Sequence, residues 1–207
     1  MKIIESSVTI INPELISDAM VCKRLERIAR TCYQSEDKIN EASYRPFVKK
    51  LLKAKHFSIF EHEQISVSII TSRAIANQLV RHRLASYAQE STRYVKYNDL
   101  EVIYDDFNLN TKQAELMLES MQVVESLYLN LLHAGIMPQF ARNILPIATK
   151  TEIVVTANIR AWMHILATRL SHGAHPEMIQ IMETVLDEFI ILMPTIFGSF
   201  EEWKDYV

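Results

Sequence analysis

Glycine occurs only three times in this 207-residue chain, at Gly135, Gly173 and Gly198. Phosphate-binding loops of the dinucleotide and nucleoside-triphosphate folds need several glycines a few residues apart, because their backbone must turn tightly and approach the phosphate closely. The three glycines here are too widely spaced to build G-x-G-x-x-G or a Walker loop. Folds that grip nucleotides in that way are excluded, and any phosphate must be held by arginine side chains and helix ends. The remaining composition is that of an ordinary globular protein, 49% hydrophobic and 23% charged. The length fits a single domain over residues 1–207 with a substantial core. No apolar run reaches the roughly 20 residues that span a bilayer. The start, Met1-Lys2-Ile3-Ile4-Glu5, lacks the apolar core of a signal peptide. A cytoplasmic protein with no membrane partner is expected.

Periodicity supplies the elements. Residues 63–71 alternate, with Ile65, Val67 and Ile69 on one face and Gln64, Ser66 and Ser68 on the other, as in a half-buried strand. Residues 152–158 and 3–11 read as further strands, the latter closed by Asn12-Pro13. Asn12 and Pro13 suit the cap and first turn of a helix running to residue 31, with Leu15, Ala19, Cys22, Leu25 or Glu26, and Ala29 at helical spacing. A polar loop is expected over 34–43 and a short helix from Pro46 to Lys53. A helix over 73–80 delivers Arg81-His82-Arg83, followed by a loop and a short strand at 94–97. The longest helix is expected at 111–133. Its stripe is Ala114, Met117, Met121, Val124, Tyr128 and Leu131, with Gly135 just past its end. That stripe packs either in the monomer core or between subunits. Pro138 opens a short helix ending near Leu145-Pro146, and helices at 161–171 and 176–193 follow. Helices and strands mix without a regular βαβ beat. The expected class is α+β, a central mostly antiparallel sheet flanked by long helices.

Charge is concentrated between residues 73 and 96. Arg73, Arg81, Arg83, Arg93 and Lys96 face the single acid Glu90, in a chain whose net charge is −3. A compact cationic stretch in an acidic protein points to a small anionic ligand rather than a polyanion. Guanidinium forks match phosphate oxygens, Ser86, Ser91 and Thr92 supply hydroxyls, and Tyr87, Tyr94 and Tyr97 offer faces for a flat heterocycle. The residues alone suit a nucleotide or flavin. They also suit a module that grips RNA or single-stranded DNA by phosphate contacts and stacking.

Arg81-His82-Arg83, seven residues and then Ser91, followed by Thr92-Arg93-Tyr94, resembles the signature of the flavin-dependent thymidylate synthases. Further blocks occur in the same order: Arg27-Ile28-Ala29-Arg30-Thr31-Cys32-Tyr33, His56-Phe57-Ser58-Ile59-Phe60-Glu61-His62, Ala141-Arg142-Asn143-Ile144-Leu145-Pro146, and Asn158-Ile159-Arg160 through Arg169. The resemblance spans residues 22–181. It implies synthesis of thymidylate from deoxyuridylate (dUMP), with methylenetetrahydrofolate as carbon donor, reduced FAD as hydride donor, and NADPH restoring the flavin. It implies that His56, Ser58, Arg81, His82, Arg83, Gln89, Asn158, Arg160 and His164 hold FAD. Gln78, Arg81, Gln89, Glu90, Ser91, Thr92, Arg93, Arg142 and Arg169 would hold dUMP. Arg169 would be the catalytic residue, placing a cation beside the charge that develops on the uracil. It also implies a homotetramer with active sites at subunit junctions and no nucleic-acid partner.

Two departures stand out. The family often has Asn-Glu where this chain has Ala88-Gln89, so any role there that needs a carboxylate falls away. Ala174-His175-Pro176-Glu177-Met178 likewise differs from the common A-Q-x-E-[IL]. The unrelated thymidylate synthases use a cysteine nucleophile. Here Cys32 reads as a small packing residue at the end of the first helix. His56, Glu61, His62 and Glu63 lack the H-E-x-x-H spacing of a zinc helix, and no metal is expected.

Overall fold

The computed structural model describes residues 1–104 and 109–207. It contains β1 (Lys2–Ile4), β2 (Ser7–Ile10), α1 (Asp18–Thr31), α2 (Tyr44–Lys53), β3 (Gln64–Ser72), α3 (Arg73–Leu79), β4 (Ala85–Gln89), β5 (Glu101–Ile103) and α4 (Thr111–His133). These are followed by α5 (Pro138–Ala141), β6 (Lys150–Asn158), α6 (Ile159–Arg169), α7 (Pro176–Leu192), α8 (Pro194–Phe197) and α9 (Phe200–Trp203). The class is α+β, as the periodicity indicates.

The main sheet has four strands in the order β2-β3-β6-β4. β3 and β6 run antiparallel. The Ile159 amide donates to the Glu63 carbonyl at one end, and the Arg73 amide donates to the Thr149 carbonyl at the other. β1 and β5 form a separate parallel pair in the register Lys2↔Glu101, Ile3↔Val102 and Ile4↔Ile103. The strand expected over 3–11 is therefore two strands broken at Glu5 and Ser6. Alternation reports an extended backbone but not its partner, and here the partner changes midway.

The chain divides into two compact units. One comprises Met1–Ser7, Ser68–Arg81 and Tyr87–Val154; the other comprises Val8–Val67, His82–Ser86 and Val155–Val207. In the first, Leu100, Val102 and Met121 form a buried cluster beneath Tyr97, Tyr104, Leu145 and Ala148. α4 has the length expected. Asn110 and Gln113 close a capping box at its start, and Gly135, at φ +83°, terminates it in the left-handed region. Of the stripe, only Met121 and Tyr128 are buried; Met117 is exposed, as are Leu116, Val123 and Leu127 elsewhere on the helix.

In the second unit, α1, α2 and α6–α9 enclose an aromatic core. Trp162 meets Phe189 edge-on at 5.3 Å, Phe189 lies 4.8 Å from Phe197, and Phe197 lies 6.1 Å from Trp203. Both indoles donate to backbone carbonyls, Trp162 to Ile65 and Trp203 to Ile196, so neither buried N–H is left unmet. The first helix begins later than Asn12-Pro13 suggests. Asn12 sits at φ 54° with no capping bond, residues Pro13–Leu15 form a single 3-10 turn, and the Ser17 hydroxyl caps α1 by accepting from the Met20 amide. A serine with β-region backbone is the stronger cap. Asp18, the first residue of α1, is buried and accepts from Arg45 Nε at 2.7 Å and from the Thr195 amide and hydroxyl, each at 2.9 Å. One carboxylate thus ties α1 to α2 and α8. Burial alone would push it up, but Arg45 and Thr195 outweigh that and hold it below the ordinary aspartate value.

Candidate functional site

The basic segment is positioned by a strand that passes straight into a helix. Ser72 ends β3, and its hydroxyl caps α3 by accepting from the Ile75 amide. α3 is short because its last turn tightens: the Val80 amide bonds to Ala76 and the Arg81 amide to Gln78. Arg81 and Arg83 emerge exposed. The strand expected at 94–97 lies instead at β4, residues 85–89, and 92–94 form a turn. Aromatic and β-branched side chains favoured the later segment. Pairing with β6 decides for the earlier one, because a strand forms where a neighbour accepts its ladder.

In the first unit the turn after β4 carries Ser91, Thr92 and Arg93. The Val95 amide donates to the Ser91 carbonyl and the Arg93 amide to Ser91 Oγ. Arg142, from the 3-10 turn after α5, donates to Thr92 Oγ1 at 3.3 Å, and Arg93 donates to Gln139. The turn thus carries two hydroxyls and an exposed arginine and is tied to a second arginine, residue types suited to an oxyanion. Gln89 donates through Nε2 to Thr151 Oγ1 at 3.2 Å, so its amide is oriented by β6. Gln78 lies half-buried in the last turn of α3.

Glu90 is engaged at every polar atom. Its amide donates to the Glu152 carbonyl, and its own carbonyl accepts from Arg73. Oε1 accepts from the Tyr97 hydroxyl at 2.7 Å, and Oε2 accepts from Lys150 Nζ at 2.9 Å. Burial pushes this carboxyl up, but the Tyr97 and Lys150 donors prevail and hold it below the usual glutamate range. Tyr97 is pushed well above the ordinary phenol value by burial first and Glu90 second, so it stays a donor. Sequence reasoning counted Arg73 in the basic stretch but missed Lys150 and Thr151 as parts of this cluster. They lie on β6 and reach Glu90 and Gln89 only because β4 pairs beside it, and composition carries no trace of that pairing.

In the second unit, α6 begins where β6 ends. Asn158 caps it, accepting from the Ala161 amide at 2.8 Å. α6 carries Arg160, His164 and Arg169, with Arg169 in its last turn. Arg169 Nε donates to His82 Nε2 at 2.8 Å, and the His82 and His164 rings meet edge-on at 6.0 Å. His82 must be neutral at Nε2 to accept this bond. Its environment enforces that: desolvation first, then the charge of Arg169, then His164 lower it to about 4. The same unit holds a cavity of about 430 Å³ lined by His56, Ser58 and Arg160, with Tyr33, Phe47 and Lys55 among its other walls. This falls within the usual range for small-molecule sites. Flat apolar walls beside hydroxyl, imidazole and guanidinium donors fit part of a flavin dinucleotide. Arg160 also pairs with Glu61.

Cys32 is exposed at the end of α1, not packed inside. The buried thiol is Cys22, pushed up to about 12 mainly by burial. Cys22 is packed within the buried stripe of α1, whereas Cys32 continues that stripe one place past Thr31, the last helical residue, and lines the cavity just described.

The profile of the family described as "thymidylate synthase complementing protein" matches residues 14–195. A flavin-dependent thymidylate synthase of Mycolicibacterium gilvum (strain PYR-GCK) is 36% identical over 197 residues, covering 86% of this chain and 78% of the relative. That of Mycobacterium tuberculosis (strain ATCC 25177 / H37Ra) is 33% identical over 201 residues, with the same coverage. Among solved structures, a UMP/dUMP methylase PolB from Streptomyces cacaoi, bound with 5-Br dUMP, superposes with a TM-score of 0.81. It is 22% identical, and the match covers 99% of this chain and 98% of that one.

Proposed function

Because the chain belongs to the flavin-dependent thymidylate synthase family, we propose that it methylates dUMP to thymidylate with methylenetetrahydrofolate as carbon donor and FAD as cofactor. NADPH is the reductant, and the working form is a cytoplasmic homotetramer. The observation that carries the mechanism is the bond from Arg169 to a neutral His82. A half-buried guanidinium held through Nε keeps a fixed orientation and a permanent charge. Set beside the uracil, that cation stabilises the negative charge developing on a carbonyl oxygen as the pyrimidine is activated, without reorganising at that moment.

Ser91, Thr92, Arg93 and Arg142 take the nucleotide phosphate, with Gln78, Arg81 and Gln89 contacting the rest of dUMP; Glu90, which the resemblance also assigns to dUMP, has its carboxylate taken up by Tyr97 and Lys150 and is given no direct contact. His56, Ser58, Arg81, His82, Arg83, Gln89, Asn158, Arg160 and His164 hold the flavin. When bound, the reduced flavin supplies the hydride. The scheme uses no thiol nucleophile. Cys22 is buried with its thiol pushed up to about 12. Cys32 is exposed at the wall of the cavity beside His56 and Ser58 but is assigned no bond to substrate, so Cys32→Ala is expected to keep substantial activity.

The decisive assay is tritium release from 5-labelled dUMP with FAD, NADPH and methylenetetrahydrofolate. The purified protein is expected to be yellow, its flavin bands bleaching on reduction, with tritium release matching thymidylate formed. A colourless protein that takes up no FAD and releases no tritium overturns the proposal.

A further inference from the structure

We propose that Glu90 is a positioning residue: with Tyr97 and Lys150 it forms a clasp that holds the Ser91-Thr92-Arg93 turn in its nucleotide-binding conformation. The inference rests on the nucleotide reading of that turn. It goes beyond it by assigning the affinity in part to residues that do not touch the ligand.

The turn is bracketed by the two residues that grip each other. Glu90 directly precedes it and Tyr97 follows it closely, and the 2.7 Å bond from the Tyr97 hydroxyl to Oε1 closes the loop between them. Each end is then fixed to a different element. Glu90 is held to β6 by the Lys150 ammonium at 2.9 Å and by its own amide on the Glu152 carbonyl, and to the start of α3 by Arg73. Tyr97 is held to α4, its amide 3.4 Å from the Tyr128 hydroxyl and its ring 6.2 Å from that of Tyr128. Tyr128 is fully buried, so this anchor does not move with solvent. Every polar atom of Glu90 is spent on these bonds, which makes it an indirect contributor. Between the brackets lie Ser91, Thr92 and Arg93, the last exposed and long. An unclasped turn would have to be ordered on binding. Ordering such side chains on binding carries a cost that weakens affinity directly. The clasp meets that cost during folding.

The test compares wild type, Tyr97→Phe, Glu90→Gln, Lys150→Met and the Glu90→Gln/Lys150→Met pair as FAD-loaded protein. It reads dUMP affinity by calorimetry, together with kcat and the KM for dUMP. Tyr97→Phe deletes one hydroxyl and nothing else, so it stays informative if a charge variant folds poorly. A positioning role predicts that Kd and KM rise about tenfold in Tyr97→Phe and Glu90→Gln, while kcat at saturating dUMP stays within about threefold and FAD stoichiometry is unchanged. It also predicts that the double variant is no worse than the more affected single one, because both remove the same clasp. Kd within twofold of wild type in both Tyr97→Phe and Glu90→Gln overturns the proposal. So does a loss confined to Glu90→Gln, which would make Glu90 a direct contact. Wild-type protein that binds FAD but not dUMP sinks the nucleotide reading itself, a distinct outcome.

Discussion

Acid should weaken this protein through one identifiable imidazole. His82 is lowered from an ordinary value of 6.5 to about 4 by desolvation, Arg169 and His164. In the unfolded chain it takes up a proton near 6.5, whereas the folded protein resists that proton until about 4. The unfolded state therefore binds more protons across that interval. The contribution is fully present above about 6.5 and drains away as pH falls toward 4. A depression of that size corresponds to at most about 3–4 kcal/mol. The ring is only half-buried, so solvent screening reduces the expectation to about 1–2 kcal/mol. The assay is urea unfolding at a series of pH values between about 7.5 and 4, on wild type and His82→Gln. Glutamine retains an acceptor for Arg169 Nε but cannot titrate. Carboxylates such as Asp18 contribute equally to both proteins and cancel in the difference. Wild type should lose about 1–2 kcal/mol more than the variant across the interval. Parallel decline of the two proteins would refute the reasoning.

Other expectations follow from single contacts. Asp18→Ala removes the acceptor shared by Arg45 and Thr195 and should cost about 3 kcal/mol in urea unfolding; a loss under about 1 kcal/mol would mean the node is not a structural anchor. Arg169→Ala should lower kcat by about a hundredfold or more while flavin absorbance per subunit stays at the wild-type level; near-normal turnover would remove Arg169 from the catalytic role. A thiol reagent should modify one cysteine in the native protein, Cys32, and both after unfolding, because Cys22 is fully buried. Two reactive thiols in the native state would contradict that burial.

Much of the fold is legible in the sequence where one period dominates. β3 and β6 alternate cleanly, α4 carries its caps in Asn110 and Gly135, and α7 is bounded by Pro176 and Pro194. The failures occur where a partner decides. Residues 3–11 form two strands because two partners claim them, and the strand of the basic segment lies at β4 because β6 lies beside it. The same limit applies to the site. Arg93 and Thr92 are visible as donors from their chemistry, and Arg142 only from the family resemblance. The bond from Arg169 to His82 joins residues 87 positions apart, and that from Lys150 to Glu90 joins residues 60 apart; no local pattern encodes either. Cys32 illustrates the complementary error, since its spacing continues the buried stripe of α1 but it lies past Thr31, the helix's last residue, and is exposed.

The strand–helix junctions carry a consequence for how this chain can change. Ser72 is both the last residue of β3 and the cap of α3, and Asn158 is both the last residue of β6 and the cap of α6. No linker residue stands between extended and helical backbone at either place. Each helix therefore inherits its rotation about its own axis from the pleat of the strand before it. One inserted residue would turn the helix by about 100° and swing Arg160, His164 and Arg169 around the axis together. The mostly exposed segment at 34–43 sets no such strand-to-helix rotation, whereas these two junctions cannot take added length without it. In a set of length variants, insertions are expected to survive in the former and to be purged from the latter, even where every side chain is kept.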